Sequence, residues 1–126
     1  MKKILSLSAF MLLAFLTQAQ TKLGVDAFEK KISEKSVQLV DVRTPAEVAN
    51  GKIKGAAVIN FNDADFKDKI GKLDKKKPIA VYCAAGGRSG KTAALLTQLG
   101  FEQVFDLEGG MTAWAAKGKP SEKPQR

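Results

Sequence analysis

The passage from residue 78 to residue 99 constrains this chain more than any other. Pro78, Ile79, Ala80, Val81 and Tyr82 form a short apolar run with the pattern of a buried strand. Residues 89–99 carry Ala93 and Leu96 at helical spacing and close on Gly100, a helix with its stop signal. Between the two runs lie Cys83, Ala84, Ala85, Gly86, Gly87 and Arg88. A strand handed to a helix through a few small residues is the building unit of an α/β domain with parallel strands.

The alternation recurs along the chain. Asp26 is expected to cap a first helix through Phe28 and Ile32, and residues 37–42 read as a buried strand. A short helix follows with a defined start: Thr44 as cap, Pro45 at the first helical position and Glu47 three residues after the cap. It ends near Asn50 and Gly51. Residues 56–60 read as a second strand, and Asp63 or Asp65 opens a helix containing Phe66 and Ile70. Residues 101–107 form a last strand before Gly109 and Gly110 turn the chain into a final helix carrying Trp114. The predicted fold is a single α/β domain, a mostly parallel central sheet with helices on both faces. In open α/β sheets ligands bind at the carboxyl ends of the strands. Asp41 and Arg43 fall at one such end and the Cys83 loop at another, so both point to one site.

The ends of the chain read differently. Lys2 and Lys3 precede an apolar stretch over residues 4–16, and Thr17, Gln18 and Ala19 offer a cleavage site. Residues 1–19 are therefore expected to be a secretory signal peptide, too short for a membrane span of about 20 apolar residues. The expected product is exported, periplasmic or secreted, and keeps no membrane anchor. Removing 19 of 126 residues leaves 107, and the net charge of +8 becomes +6 without Lys2 and Lys3. That excess favours anionic ligands. Nucleic acid is not expected as a partner, because no aromatics interleave with the lysines and the protein is exported. Lys72, Lys75, Lys76 and Lys77 read as a solvated turn before a strand. Residues 117–126, with two prolines and four basic residues, read as a flexible basic tail.

Cys83 is the only cysteine and there is no histidine. An internal disulfide, Cys-His and Ser-His-Asp catalysis and histidine metal sites are all excluded. No metal or other cofactor is implied, and a monomer is expected. A thiolate is the reactive form of cysteine, and its ordinary pKa of about 8.5 must be lowered for work at neutral pH. The helix after the loop directs its positive end and unsatisfied N–H groups at the thiol. Ala84, Ala85, Gly86 and Gly87 are small enough for the loop to curl into an anion-binding nest, with the two glycines supplying positive φ. Cysteine phosphatases resemble this layout but need five residues between Cys and Arg, whereas four separate Cys83 from Arg88. Residues 85–92 also approach the looser Walker pattern, with Lys91 and Thr92 as its phosphate and magnesium ligands. Only 34 residues follow Thr92, little for a nucleotide-binding fold, so these positions read as the first turn of a helix.

Cys83-x-x-Gly86-x-Arg88-Ser89 resembles the active-site loop of the rhodanese family. Asp41, Arg43, Thr44, Pro45 and Glu47 resemble that family's strand-to-helix signature. Gly51, Ile53, Gly55 and Ala56 resemble its G-H-I-P-G-A turn, with Lys52 and Lys54 in place of His and Pro. Gly109, Gly110, Met111 and Trp114 resemble its closing motif. The resemblance implies a rhodanese-like domain over residues 20–116 and a sulfurtransferase. Cys83 would attack a small anionic sulfur donor, thiosulfate or a persulfide or polysulfide, and carry a persulfide. Cyanide or a thiol would then accept the outer sulfur. Ala84, Ala85, Gly86, Gly87, Arg88 and Ser89 would bind the substrate, with Asp41, Arg43 and Glu47 as structural support. Arg88 would either bind the donor's anionic end or brace the loop against Asp41 or Glu47. Thiosulfate-active members often carry charged or polar side chains where Ala84 and Ala85 stand, so weak thiosulfate binding is expected. The alternative is a sulfur-carrier, binding or redox-sensing module without turnover.

Overall fold

The computed structural model describes residues 20–124. The expected leader over residues 1–19 lies outside them. Ten elements follow in order: β1 (Thr21–Leu23), α1 (Val25–Ile32), β2 (Gln38–Asp41), α2 (Pro45–Ala49), β3 (Ala57–Val58), α3 (Phe66–Gly71), β4 (Ile79–Tyr82), α4 (Gly87–Gln98), β5 (Val104–Leu107) and α5 (Gly110–Ala116). The strands form one five-stranded sheet in the order β1-β5-β4-β2-β3, with every neighbouring pair parallel.

β4 is the central strand, and all four of its residues are buried. A strand covered on both faces reads as a continuous apolar run, which is why residues 78–82 were so legible. Alternation along β4 sorts its side chains between two cores. Ile79, Val81 and Cys83 join Phe66, Ile70, Ala93 and Leu96 on the side covered by α3 and α4. Ala80 and Tyr82 join Phe28 and Trp114 on the side covered by α1 and α5, where Phe28 makes edge contacts with both aromatic rings. Helices therefore lie on both faces, as the sequence predicts.

β5 begins at Val104 rather than at residue 101, and four further details differ from the sequence expectations. β1, three residues at the sheet edge, has too little apolar content to announce itself. α1 is capped by Gly24, and Asp26 instead sits in the first turn, where its carboxylate meets Lys117 and Lys119. β3 is two residues rather than five, because only Ala57 and Val58 pair in register with β2 before Asn60 turns the chain. The fourth concerns the tail. Pro120 accepts a hydrogen bond from Trp114 Nε1 at 2.9 Å, and Glu122 forms a two-way backbone bridge with Lys52, each bond 2.8 Å. The composition of residues 117–126 suggested solvation, but residues up to 122 are tied to the domain by backbone and indole hydrogen bonds that composition does not encode.

Candidate active site

Cys83 is the first residue beyond β4, at the carboxyl end of the sheet. Only Ala84, Ala85 and Gly86 separate it from α4, which begins at Gly87, two residues before the expected start. Gly86 is the N-cap and takes a left-handed conformation, φ 115°, which glycine adopts without the cost a β-carbon imposes. The early start puts Ser89 in the first helical turn rather than at the cap. Of the N–H groups at this helix start, those of Gly86, the N-cap, and Ser89 reach the sulfur, joined by Ala85 of the loop.

The Gly86 N–H donates to Cys83 Sγ at 3.0 Å. Ser89 is fully buried, with its Oγ 3.4 Å from Sγ and 3.3 Å from the Gly86 carbonyl oxygen. Cys83 itself is 1% exposed. Burial pushes its pKa up, but the Ser89 hydroxyl and the N–H groups of Ser89, Gly86 and Ala85 pull it below the ordinary thiol value. The Ser89 hydroxyl is the largest of the lowering influences, and the backbone donors add to it.

α5 fixes this cage from outside. Its first turn donates from Met111 N to the Cys83 carbonyl at 2.8 Å and from Thr112 N to the Ala84 carbonyl at 3.0 Å. In a planar trans peptide, holding the Ala84 carbonyl on one side turns the Ala85 N–H to the other, toward the sulfur. Gly110 makes the approach possible. Its φ is +55°, and a β-carbon there would run into the Cys83 carbonyl oxygen and the Ala84 carbonyl.

Arg88 makes no hydrogen bond to the sulfur. Its guanidinium grips Glu47 with two hydrogen bonds, 2.7 and 2.8 Å, and Asp41 takes no part in that pairing. Glu47 is held at a pKa of about 2, first by the Arg88 hydrogen bond, against burial, and further by its bonds to Thr44. Thr44 and Glu47 form the full capping box of α2, so one carboxylate ties a helix start to the active loop. Asp41 and Arg43 form a separate buried pair at the end of β2, Nη2 to Oδ2 2.7 Å. Arg43 also donates to the Gly51 carbonyl at 2.7 Å, and Tyr82 Oη accepts from Ile53 N at 2.9 Å. These contacts hold the turn beside the site and do not reach Cys83.

Ala84 is half-buried and Ala85 and Gly87 are exposed, so these loop positions offer no charged side chain to a donor. Lys91 is exposed, and Thr92 is buried with its hydroxyl donating to the Arg88 carbonyl at 2.8 Å. The Gly90, Lys91, Thr92 triplet is thus helix interior. Asp106 escaped the sequence reading. It is 2% exposed, on β5, and only the oddity of a carboxylate inside an apolar strand could have flagged it.

Comparison with known proteins agrees with this geometry. The model of the rhodanese-like domain matches residues 24–117. A sulfurtransferase of Allochromatium vinosum is 37% identical over 89 residues, covering 71% of this chain and 81% of that protein. The thiosulfate sulfurtransferase GlpE of Shewanella oneidensis is 37% identical over 92 residues, covering 73% and 89%. Among solved structures, a rhodanese-related protein from Thermoplasma volcanium superimposes with a TM-score of 0.73 at 31% identity, covering 82% of this chain and 99% of that one. A polysulfide-sulfur transferase from Wolinella succinogenes gives 0.69 at 28% identity, covering 85% and 81%. With the order of elements, the loop and the matched span in agreement, this chain belongs to the rhodanese-like domain family.

Proposed function

We propose that the protein is a sulfurtransferase that carries a sulfane sulfur as a persulfide on Cys83. The Cys83 thiolate attacks the outer sulfur of a donor. The donor's S–S bond breaks, its inner sulfur leaves with the electron pair, and Cys83 is left as the persulfide anion. A thiol or cyanide then attacks the outer sulfur and the Cys83 thiolate is restored, a two-step cycle through a covalent intermediate. The observation that carries this reading is the cage of N–H groups around Sγ in a loop of only three residues. Donors aimed at a developing anion are worth roughly 2.7–4 kcal/mol each in comparable sites.

The preferred donor is a persulfide or polysulfide, with thiosulfate second. A thiosulfate dianion brings a sulfonate group that wants a cation, and the nearest arginine, Arg88, is neutralised by Glu47. The alanine rim suits a donor whose bulk is sulfur or hydrocarbon. The likeness to a polysulfide-sulfur transferase supports that preference, and the likeness to thiosulfate sulfurtransferases keeps thiosulfate as a substrate.

Intact mass after exposure to polysulfide or thiosulfate tests the reading. A gain of one sulfur atom is expected, larger in extent with polysulfide, reversed by cyanide and absent in Cys83→Ser. No gain with either donor would end the enzyme reading. A carrier without turnover is favoured only by the burial of Cys83, and it predicts one sulfur transferred per protein and no further cycles with cyanide.

A further inference from the structure

We propose that the cleft between the ends of α3 and α4 docks an acidic segment of a partner protein. One apolar side chain of that segment sits over Gly71 and Leu99, and its carboxylates meet Lys67, Lys72 and Lys75.

The cleft has a volume of about 390 Å³ and is lined by Lys67, Asp68, Gly71, Lys72, Lys75 and Leu99. Phe66 and Ile70 are the buried residues of α3, so Lys67 and Gly71, each one position further on, share the stripe beside the core. Lys72 caps the end of α3, Lys75 stands in the turn before β4, and Leu99 caps the end of α4. The three lysines are exposed while Gly71 and Leu99 are half-buried, so the apolar part of the lining lies deeper than the charged part.

The positive charge exceeds what the fold uses. Lys67, Lys72 and Lys75 make no ion pair among the described residues, and neither do Lys76 and Lys77 in the same turn. A helix C-terminus carries about half a negative charge, so two helix ends balance about one lysine. Asp68 and Asp74 balance two more, and a surplus of about two positive charges is left on the five lysines.

Gly71 is an independent observation. Its φ is not positive, and a β-carbon there would meet only Leu99 Cδ1 at 3.8 Å, an ordinary contact. Neither backbone nor packing requires glycine at this helical position, where alanine would be more stable. What the missing side chain does is keep the floor of the cleft open.

A recessed apolar floor inside a lysine rim suits a protruding acidic segment. A flat anionic membrane would reach the lysines and leave Leu99 uncovered. Single-stranded nucleic acid needs aromatic platforms, and no aromatic side chain lines the cleft. α4 has the Cys83 loop at its start and Leu99 at its end, and its 12 residues span about 18 Å. A segment docked in the cleft therefore leaves the thiol open to its reactants.

The test uses the whole folded protein and a short capped peptide in which one leucine is flanked on each side by paired glutamates, followed by backbone amide shifts. The amides of Gly71, Lys72, Lys75 and Leu99 are expected to move and those of the Cys83 loop to stay. Affinity should fall about tenfold as ionic strength rises from about 0.01 M to about 0.15 M and the screening length shrinks from about 30 Å to about 8 Å. Replacing the peptide leucine by serine should weaken binding about tenfold. Gly71→Leu, which fills the floor and keeps every lysine, should do the same, and combining Lys67→Glu, Lys72→Glu and Lys75→Glu should abolish binding. Equal affinity for the serine peptide, a comparison that needs no protein variant, overturns the inference. So do shifts centred away from the cleft, or a cleft that holds phosphatidylglycerol vesicles or single-stranded RNA at about 0.15 M salt when the peptide does not bind. Persulfide formation on Cys83 from polysulfide should be unchanged in the lysine variant, so docking and sulfur transfer fail or succeed separately.

Discussion

Arg88 and Glu47 meet through two short hydrogen bonds, yet each side chain keeps a quarter to a third of its surface in water. Solvent screening limits such a pair to about 1 kcal/mol or less of stability. Its pH dependence has a definite sign. Glu47 titrates at about 2 in the folded protein, below the roughly 4.3 of an unfolded glutamate. The contribution is therefore complete above that unfolded value and is lost as pH falls through about 2. Urea midpoints taken across that window should fall more steeply for the wild type than for Glu47→Gln. Equal slopes would mean that the pair does not stabilise the fold. At this scale the sequence was informative where chemistry is local. The capping pattern of Thr44 and Glu47 and the lone thiol could be read from neighbours in the chain. The choice of Glu47 over Asp41 as the partner of Arg88 could not, because it depends on how the paired strands β2 and β4 bring α2 and α4 together, nor could the burial of Asp106.

α4 and α5 are both short-range helices with long-range duties, and their glycines separate the two. Gly87 is the first residue of α4, with ordinary negative φ and open space where a β-carbon would stand. Gly87→Ala should fold normally and gain up to about 0.5–1 kcal/mol from the lower entropy of the unfolded chain. Gly110→Ala should do the opposite. It adds a β-carbon at φ +55° against the backbone of Cys83 and Ala84, and the strain alone is of order 1–3 kcal/mol. The expected damage extends beyond stability, since α5 can no longer hold the carbonyls of Cys83 and Ala84. The Cys83 midpoint should rise toward that of a free thiol while the protein still folds at low temperature. If Gly110→Ala left that midpoint unchanged, the grip of α5 would not be what orients the cage. Gly109 and Gly110 read as a turn in the sequence. Their close approach to a loop some 26 residues earlier is a tertiary fact with no local signature.

Taken whole, the molecule keeps its site at the ends of central strands and packs its own tail against Trp114 and Lys52. The alternation of runs made the parallel sheet and two-sided helices legible, because burial on both faces writes itself as continuous apolar sequence. The tail followed no such rule: its lysines and prolines resemble solvated chain, and its attachment depends on backbone hydrogen bonds. Trp114 is 2% exposed, with its indole N–H satisfied by the Pro120 carbonyl. Removing the acceptor leaves a buried donor unpaired, which costs about 1–3 kcal/mol. The bridge between Lys52 and Glu122 goes with it, and Gly51 next to that bridge carries the carbonyl that Arg43 holds. The ion pairs of Lys117 and Lys119 with Asp26 are exposed and add little. A chain ending after Lys117 should therefore melt lower by about 5–20 °C, the shift that 1–3 kcal/mol produces in a domain of this size. Trp114→Phe identifies the cause. Phenylalanine has no N–H to strand, so truncation in that background should cost about 1 kcal/mol less than in the wild type. Equal costs would transfer the effect to the Lys52 bridge, and no cost in either background would return the tail to solvent.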